Sequence, residues 1–313
     1  MIYKTKAPGS LMLLGEYAVL QGKIAIVAAI DKFISISLSP RRDEKINIDS
    51  PLGNLTLDCQ SIKLSPPFEF VLATLASKKL PSGCDINIKS TLPPAIGLGS
   101  SAAVTVALLT ALNAWLQMSM TKNDLWQQAL TVIKTVQGKG SGADCAASIY
   151  GGVLAFSNLP FSVTSLKSRP PITAIYSGKK LTTARAINIV NQCRKKQPDF
   201  YQQIDERINE LTVQSIEIIN SKNWPALGGL LNLGQELMTT LGVSNEILES
   251  LIEGLRKQPT IFGAKISGAG LGDCVIGIGT LKSDRFPRNN TEKKLGVKQI
   301  VLSVAAEGVT VDA

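Results

Sequence analysis

Three stretches of this 313-residue chain gather glycine, hydroxyl and acidic residues at spacings that could do chemistry. The first is Pro93-Pro94-Ala95-Ile96-Gly97-Leu98-Gly99-Ser100-Ser101-Ala102-Ala103, which follows a strand-like run and opens a long apolar one. Glycines let a backbone turn closely around a ligand, and a helix start offers unpaired N–H groups and the positive end of its dipole. Two serine hydroxyls could meet phosphate oxygens or magnesium. The stretch is neither a Walker A loop, since no Lys-Ser or Lys-Thr pair follows the glycines, nor a GxGxxG fingerprint. A tight turn with serines capping a structural helix remains the alternative. The second stretch, Gln137-Gly138-Lys139-Gly140-Ser141-Gly142-Ala143-Asp144, ends on an acid. Asp144 could orient or deprotonate a hydroxyl, or cap the helix that follows. Lys139 is either a phosphate partner or a solvated cation. The third, Gly263-Ala264-Lys265-Ile266-Ser267-Gly268-Ala269-Gly270-Leu271-Gly272-Asp273-Cys274, suits a loop wrapped around something small or laid tightly on another segment.

The residue inventory narrows the chemistry. Histidine is absent. That removes His-based triads, HExxH metal sites and imidazole bases, and leaves carboxylates, lysines, hydroxyls, thiols and backbone amides. The five cysteines, Cys59, Cys84, Cys145, Cys193 and Cys274, are odd in number and widely spaced. They form no CxxC pair, so neither a disulfide framework nor a thiolate zinc site is expected. A formal charge of +9 suits an acidic small ligand such as a nucleotide or a phosphorylated metabolite. The basic residues are scattered apart from short runs, and no nucleic-acid-binding motif accompanies them, so no nucleic-acid partner is expected. No window holds 18 consecutive apolar residues, and Met1 to Val27 lacks the clean apolar core of a secretory signal. No membrane partner is expected, and the cytoplasm is the expected compartment.

The elements that must position these loops follow from periodicity. Strands are predicted over Ile24–Leu38, within Asp43–Leu57 around a Pro51-Leu52-Gly53-Asn54 turn, and at Ile86 and Ile88 before Pro93-Pro94. A buried, Ala-rich helix is predicted over Ser101–Trp115, then helices over Lys122–Val136 and Gly142–Ser148, then a strand at Val153–Phe156. Prolines and serines between Asn158 and Pro171 mark a domain boundary. Beyond it come a strand at Ile172–Tyr176 and helices over Thr183–Arg194, Pro198–Ile219, Trp224–Leu241 and Ser244–Arg256, the last with Ser244 as its cap. Strands at Gly263–Ile266, Cys274–Ile278, Gln299–Val304 and Gly308–Val311 finish an α+β pattern.

The three stretches, taken with Lys6-Ala7-Pro8-Gly9-Ser10-Leu11-Met12-Leu13-Leu14-Gly15-Glu16-Tyr17-Ala18-Val19-Leu20, occur in the order and rough spacing of the GHMP kinase superfamily. The resemblance covers essentially the whole chain, and Pro93–Ala103 is its most specific part. It implies a two-domain α+β fold. Residues 1–160 would form an ATP-binding domain resembling the second domain of ribosomal protein S5, and residues 170–313 a ferredoxin-like domain. The active site would lie between them. ATP and Mg2+ are the implied cofactors, held by Pro94, Gly97, Leu98, Gly99, Ser100, Ser101 and Ala102, with Ser101 touching the metal. Asp144 would be the base or orienting acid, assisted by Ser10 and Lys139. Glu16, Ser141, Gly142, Thr183, Gly268, Ala269 and Gly270 would line the acceptor. Three positions depart from the family pattern. Ser10 stands where a lysine is usual, Ile133 near where a metal-binding glutamate is usual, and Asp273 where a glycine is usual. An acid at Asp273 beside phosphates is unfavourable unless it faces away or meets magnesium.

Within the superfamily the resemblance is to the branch of mevalonate and phosphomevalonate kinases. It implies transfer of the ATP γ-phosphoryl group to an isoprenoid-pathway acceptor, mevalonate in the first instance. Phosphomevalonate is the alternative acceptor, and a diverged non-catalytic ATP-binding protein the alternative role. Related kinases are often dimers, so a homodimer is compatible with the resemblance.

Overall fold

The computed structural model describes residues 1–93 and 96–312. Two antiparallel-rich sheets carry the chain. The first is built by β1 (Tyr3–Leu14), β2 (Ala25–Pro40), β3 (Lys45–Ser50), β4 (Gly53–Asp58), β5 (Cys84–Ser90), β6 (Val153–Asn158), β7 (Phe161–Ser165) and β12 (Thr310–Asp312). Its main path runs β12-β1-β2-β5-β3-β4, and β6 pairs with β2 and β7. The long strand β2 therefore has two partners on one edge: Ala25–Ala28 pair with β6 and Ile34–Pro40 with β5. The alternating Ile34, Ile36 and Leu38 of β2 are buried, as their spacing predicts.

β1 was not legible as a strand, for a physical reason. Only its first residues alternate, with Tyr3 and Thr5 buried and Lys4 and Lys6 exposed. From Ala7 onward the strand is covered on both faces, so Pro8, Gly9 and Ser10 are buried alongside Leu11. Helix α1 (Glu69–Ala76) also escapes notice, being short and lacking a side-chain cap. Helices α2 (Ser100–Trp115), α3 (Lys122–Gln137) and α4 (Ala143–Tyr150) fall close to their predicted spans. α2 lies against β1, β2 and the helices α1, α3 and α4, which explains why it is apolar nearly all round.

The second sheet has the order β11-β8-β10-β9, all neighbours antiparallel. Its strands are β8 (Ile172–Tyr176), β9 (Ile261–Ser267), β10 (Cys274–Gly279) and β11 (Lys298–Ile300). Between β8 and β9 run α5 (Thr183–Lys196), α6 (Pro198–Asn220), α7 (Trp224–Thr240) and α8 (Glu246–Arg256), and α9 (Asn290–Leu295) precedes β11. The cap of α8 is Asn245, whose side chain accepts from the Leu248 amide, and not Ser244 as expected. Ser244 instead donates to Glu249 at 2.6 Å, one turn into the helix. The strand expected over Gln299–Val304 ends at Ile300. There the chain leaves the second sheet and crosses to the first: Val304 bridges Ile30, the Ala305 amide donates to Ala29, and β12 then pairs with β1. Among the described residues no helix is long and apolar enough to cross a membrane.

Candidate active site

The four sequence motifs converge around β1, where the first sheet meets the second. The loop before α2 packs directly on β1. The Ser10 amide donates to the Leu98 carbonyl at 3.0 Å, and a Cβ on Gly99 would meet the Ser10 hydroxyl at 2.0 Å. Gly99 also has φ 68°, a left-handed conformation in which a side chain is strained, so glycine is required here on two counts. As the N-cap, Gly99 accepts the first helical bond, from Ala103. The amides of Ser100, Ser101 and Ala102 precede that bond and have no acceptor within the helix. Neither serine is used as a cap, and both are half-exposed. Gly97 is exposed and Leu98 buried. Expected ligand residue Pro94 lies outside the described residues.

Asp144 is brought to the same place from the other side. It lies in the first turn of α4, whose N-cap is Gly142, so it does not cap that helix. The hydroxyl of Ser10 donates to its Oδ1 at 2.6 Å. Ser10 is closed off from solvent at 1% exposure, while Asp144 stays exposed. Although solvent reaches the Asp144 side chain, protein surrounds it and thins out the bulk water. That pushes its pKa above the ordinary carboxylate value, and the Ser10 hydroxyl opposes the shift. Trp126, on α3, places this acid: its indole N–H donates to the Gly142 carbonyl at 2.9 Å, and a Cβ on Gly142 would strike the ring at 2.8 Å. Nothing in its sequence neighbourhood distinguished Trp126 from a core aromatic.

The third glycine-rich loop is tied down from behind. Glu16 and Lys265 are 4% and 1% exposed and form an ion pair, and the Gly268 amide donates to Glu16 Oε1 at 3.4 Å. Burial pulls the Lys265 pKa below the ordinary lysine value, and the carboxylate of Glu16 opposes that pull. Next to it, the Tyr17 hydroxyl donates to the Ala269 carbonyl at 2.5 Å, and Ser267 donates to the Met12 carbonyl at 2.8 Å. Gly270 lies on Val243, where a Cβ would come within 2.4 Å of the Val243 carbonyl oxygen. The loop therefore cannot shift without disturbing the first motif.

The remaining expected residues are spread around this centre. Ser141 is half-buried and accepts from the Ala143 amide at 3.2 Å. Thr183 is exposed at the start of α5. Lys139 is exposed and donates to Asn188 at 2.7 Å, so its ammonium points to α5 rather than to Asp144. Ile133, near the position where the family glutamate is usual, is buried. Asp273 lies against the loop before α2: a Cβ on Gly97 would fall 2.5 Å from Asp273 Cβ. Burial raises its carboxyl pKa to about 6, against the opposing charge of Lys180.

A helix start with free amides, two hydroxyls without a partner among the described residues, and an accessible acid one residue contact away can bind an anion and take a proton beside it. Among the described residues no three of Cys, Asp and Glu gather into a ready-made metal site. A cation at this centre would have to share its shell with a ligand that brings oxygens of its own.

Comparison with known proteins identifies the family. The sequence model for the GHMP kinases N terminal domain matches residues 68–152, and that for GHMP kinases C terminal matches residues 215–293. A mevalonate kinase of Archaeoglobus fulgidus is 32% identical over 279 residues, covering 87% of this chain and 90% of that protein. The Methanococcus jannaschii mevalonate kinase structure superposes with a TM-score of 0.77 at 25% identity, covering 97% of this chain and 98% of that one. A Streptococcus pneumoniae phosphomevalonate kinase in complex with phosphomevalonate and AMPPNP superposes with a TM-score of 0.75. Its 19% identity, over 96% of this chain and 99% of that one, speaks to the fold alone.

Proposed function

The chain belongs to the GHMP kinase superfamily, in its mevalonate kinase branch, and from that premise we propose that it transfers the γ-phosphoryl group of ATP to the hydroxyl of mevalonate. The observation that carries the reading is the contact of Ser10 with both Gly99 and Asp144. It sets an accessible acid beside the free amides of a helix start. In the proposed reaction the bond between the γ-phosphorus and its bridging oxygen breaks, a bond to the acceptor oxygen forms, and the hydroxyl proton passes to Asp144. ADP and the phosphorylated acceptor leave.

Positioning and charge neutralisation supply most of the acceleration in such transfers. Gly97–Ala102 would cradle the phosphates through main-chain N–H groups and the dipole of α2. A magnesium ion arriving with ATP would neutralise phosphate charge, and the half-exposed Ser101 hydroxyl at the start of α2 would be a ligand for it. Ser10 would orient Asp144 and favour its ionised form. Ser141, Gly142, Thr183 and Gly268–Gly270 would line the acceptor. Glu16, covered by Lys265, would act from behind that loop, and Lys139 would be a charge at the rim.

In fold terms we assign residues 1–160 to an S5-like domain and 170–313 to a ferredoxin-like one. The element order β8-α-β9-β10-α9-β11 with sheet order β11-β8-β10-β9 supports the second name. The segment after Ser303 returns to the first sheet.

A second reading, transfer to phosphomevalonate, is favoured by the Gln137–Gly142 loop and by the net charge of +9. That acceptor needs no strong base, so Asp144 would then only orient. A coupled ADP-release assay with mevalonate, phosphomevalonate, homoserine and galactose separates the readings. Mevalonate-dependent turnover that falls by roughly 10²–10⁴ in Asp144→Asn is expected for a general base. Phosphomevalonate-dependent turnover that survives the change would favour the second reading. Nucleotide binding with no turnover on any acceptor would favour a non-catalytic role.

A further inference from the structure

Asp273 is an acid in a backbone conformation that glycine adopts most readily. Its backbone has φ 59°, in the left-handed region that side chains avoid. It cannot relax by moving, because its amide donates to Lys179 and its carbonyl accepts from Ser177, both at 2.8 Å. The next residue fastens the same turn to the loop before α2: Cys274 Sγ lies 3.0 Å from the Ile96 carbonyl. The carboxyl group is thereby held on Gly97, and its Oδ1 is buried with no hydrogen-bond partner among the described residues. Lys180 is the cation that acts on it, but is exposed and forms no salt bridge with it. An acceptor left unpaired in a folded protein is costly and points to a missing partner. Local strain of this kind persists where a site uses it.

We propose that Asp273 is a ligand for a divalent cation, of the Mg2+ class, that is held jointly by this carboxylate and the phosphates of a bound nucleotide. The inference rests on the nucleotide-binding reading above. Hard cations take oxygen ligands and complete their shells with phosphate and water, so one protein carboxylate suffices when the nucleotide supplies the rest. Without the cation, carboxylate and phosphates repel each other across Gly97. With it, both anions and the orphaned oxygen are satisfied together. This gives the loop a carboxylate donor that Ile133 cannot provide.

The test is calorimetric titration of AMPPNP into the full chain, with Mg2+ and with EDTA, for wild type, Asp273→Asn and Asp273→Gly. Glycine suits the backbone conformation, so that variant keeps the fold. In wild type Mg2+ is expected to tighten nucleotide binding on the order of tenfold or more. In both variants that gain should largely vanish, while metal-free binding becomes equal or tighter because a repulsive charge is gone. Mn2+ titrated into the AMPPNP complex and followed by electron paramagnetic resonance should be retained about tenfold more weakly by the variants. Unchanged Mn2+ retention and an unchanged Mg2+ effect in both variants overturn the assignment while leaving nucleotide binding intact. A wild-type chain that binds no nucleotide overturns the assignment together with the reading it rests on.

Discussion

Glu16 and Asp144 both stand beside β1, each just past a glycine with positive φ, but their surroundings differ. Glu16 is closed off and has the Lys265 ammonium against it; Asp144 is exposed and, among the described residues, has the Ser10 hydroxyl alone. A carboxylate sealed from solvent against a cation is out of a ligand's reach, which makes it a strut. A carboxylate that meets protein on one side and solvent on the other, with no cation, has a raised pKa and a free face. That combination suits a group that takes a proton in a reaction. The usual family lysine at position 10 would make the second site resemble the first. Serine keeps the geometry and gives up the charge.

The contrast can be broken most strongly at the strut. Lys265→Met leaves the Glu16 carboxylate buried and unpaired, and should cost about 3–5 kcal/mol of stability. A fall in the urea midpoint without change in slope would show it, and adding Glu16→Gln should recover much of the loss. If Lys265→Met is neutral, the pair is not a strut.

At the second site, Ser10→Ala removes a donor to a charged acceptor, an interaction of about 1.5–3 kcal/mol, or roughly 1–2 pH units. Asp144 must be ionised to accept a proton, and its pKa already lies above the ordinary value. Losing the hydroxyl raises it further, so the acid limb of the kcat profile should move upward in pH, with a larger activity loss near pH 6 than near pH 8. A parallel loss at all pH values would assign Ser10 a purely steric role.

Asp273 offers a third environment, an acid whose Oδ1 has no hydrogen-bond partner among the described residues. Asp273→Gly should raise the stability of the ligand-free protein at neutral pH by about 1–2 kcal/mol from relief of the left-handed backbone. Its folded pKa of about 6 lies above the ordinary 3.8, so the folded state holds the proton more tightly. The resulting stability is complete below about pH 4 and disappears as pH rises through 6, and the glycine variant should lack that slope. Thermal melts across this range measure both. The smallest effect is expected at the rim: Lys139→Ala removes an exposed charge worth about 0.2–1 kcal/mol, visible as a change in KM of a few fold at most.

Much of this was legible because it is local. Glycine at 97 and 99 beside serines, an acid just past a glycine loop, and the 3.6-residue period of α2 and α3 are properties of neighbouring residues. So were the hairpin of β3 and β4 and the helices of the second half. Local patterns failed where packing overrode them. β1 lost its alternation because both its faces are covered, and the run after Ile300 reads as a continuous strand although it passes from one sheet to the other. Ser244 and Asn245 are both competent caps, and only the path of the chain chose between them.

The sequence by itself determined which groups exist to do chemistry: carboxylates and hydroxyls with no histidine, three glycine-rich stretches, and two serines at a helix start. Tertiary structure decided which of them meet. Ser10 and Asp144 are 134 residues apart, and Glu16 and Lys265 are 249 apart. No spacing along the chain distinguishes the acid that receives a hydroxyl from the acid that receives an ammonium. That choice arises from packing the second sheet and its helices against the first at β1, where burial and the nearest charge set the properties of each carboxylate.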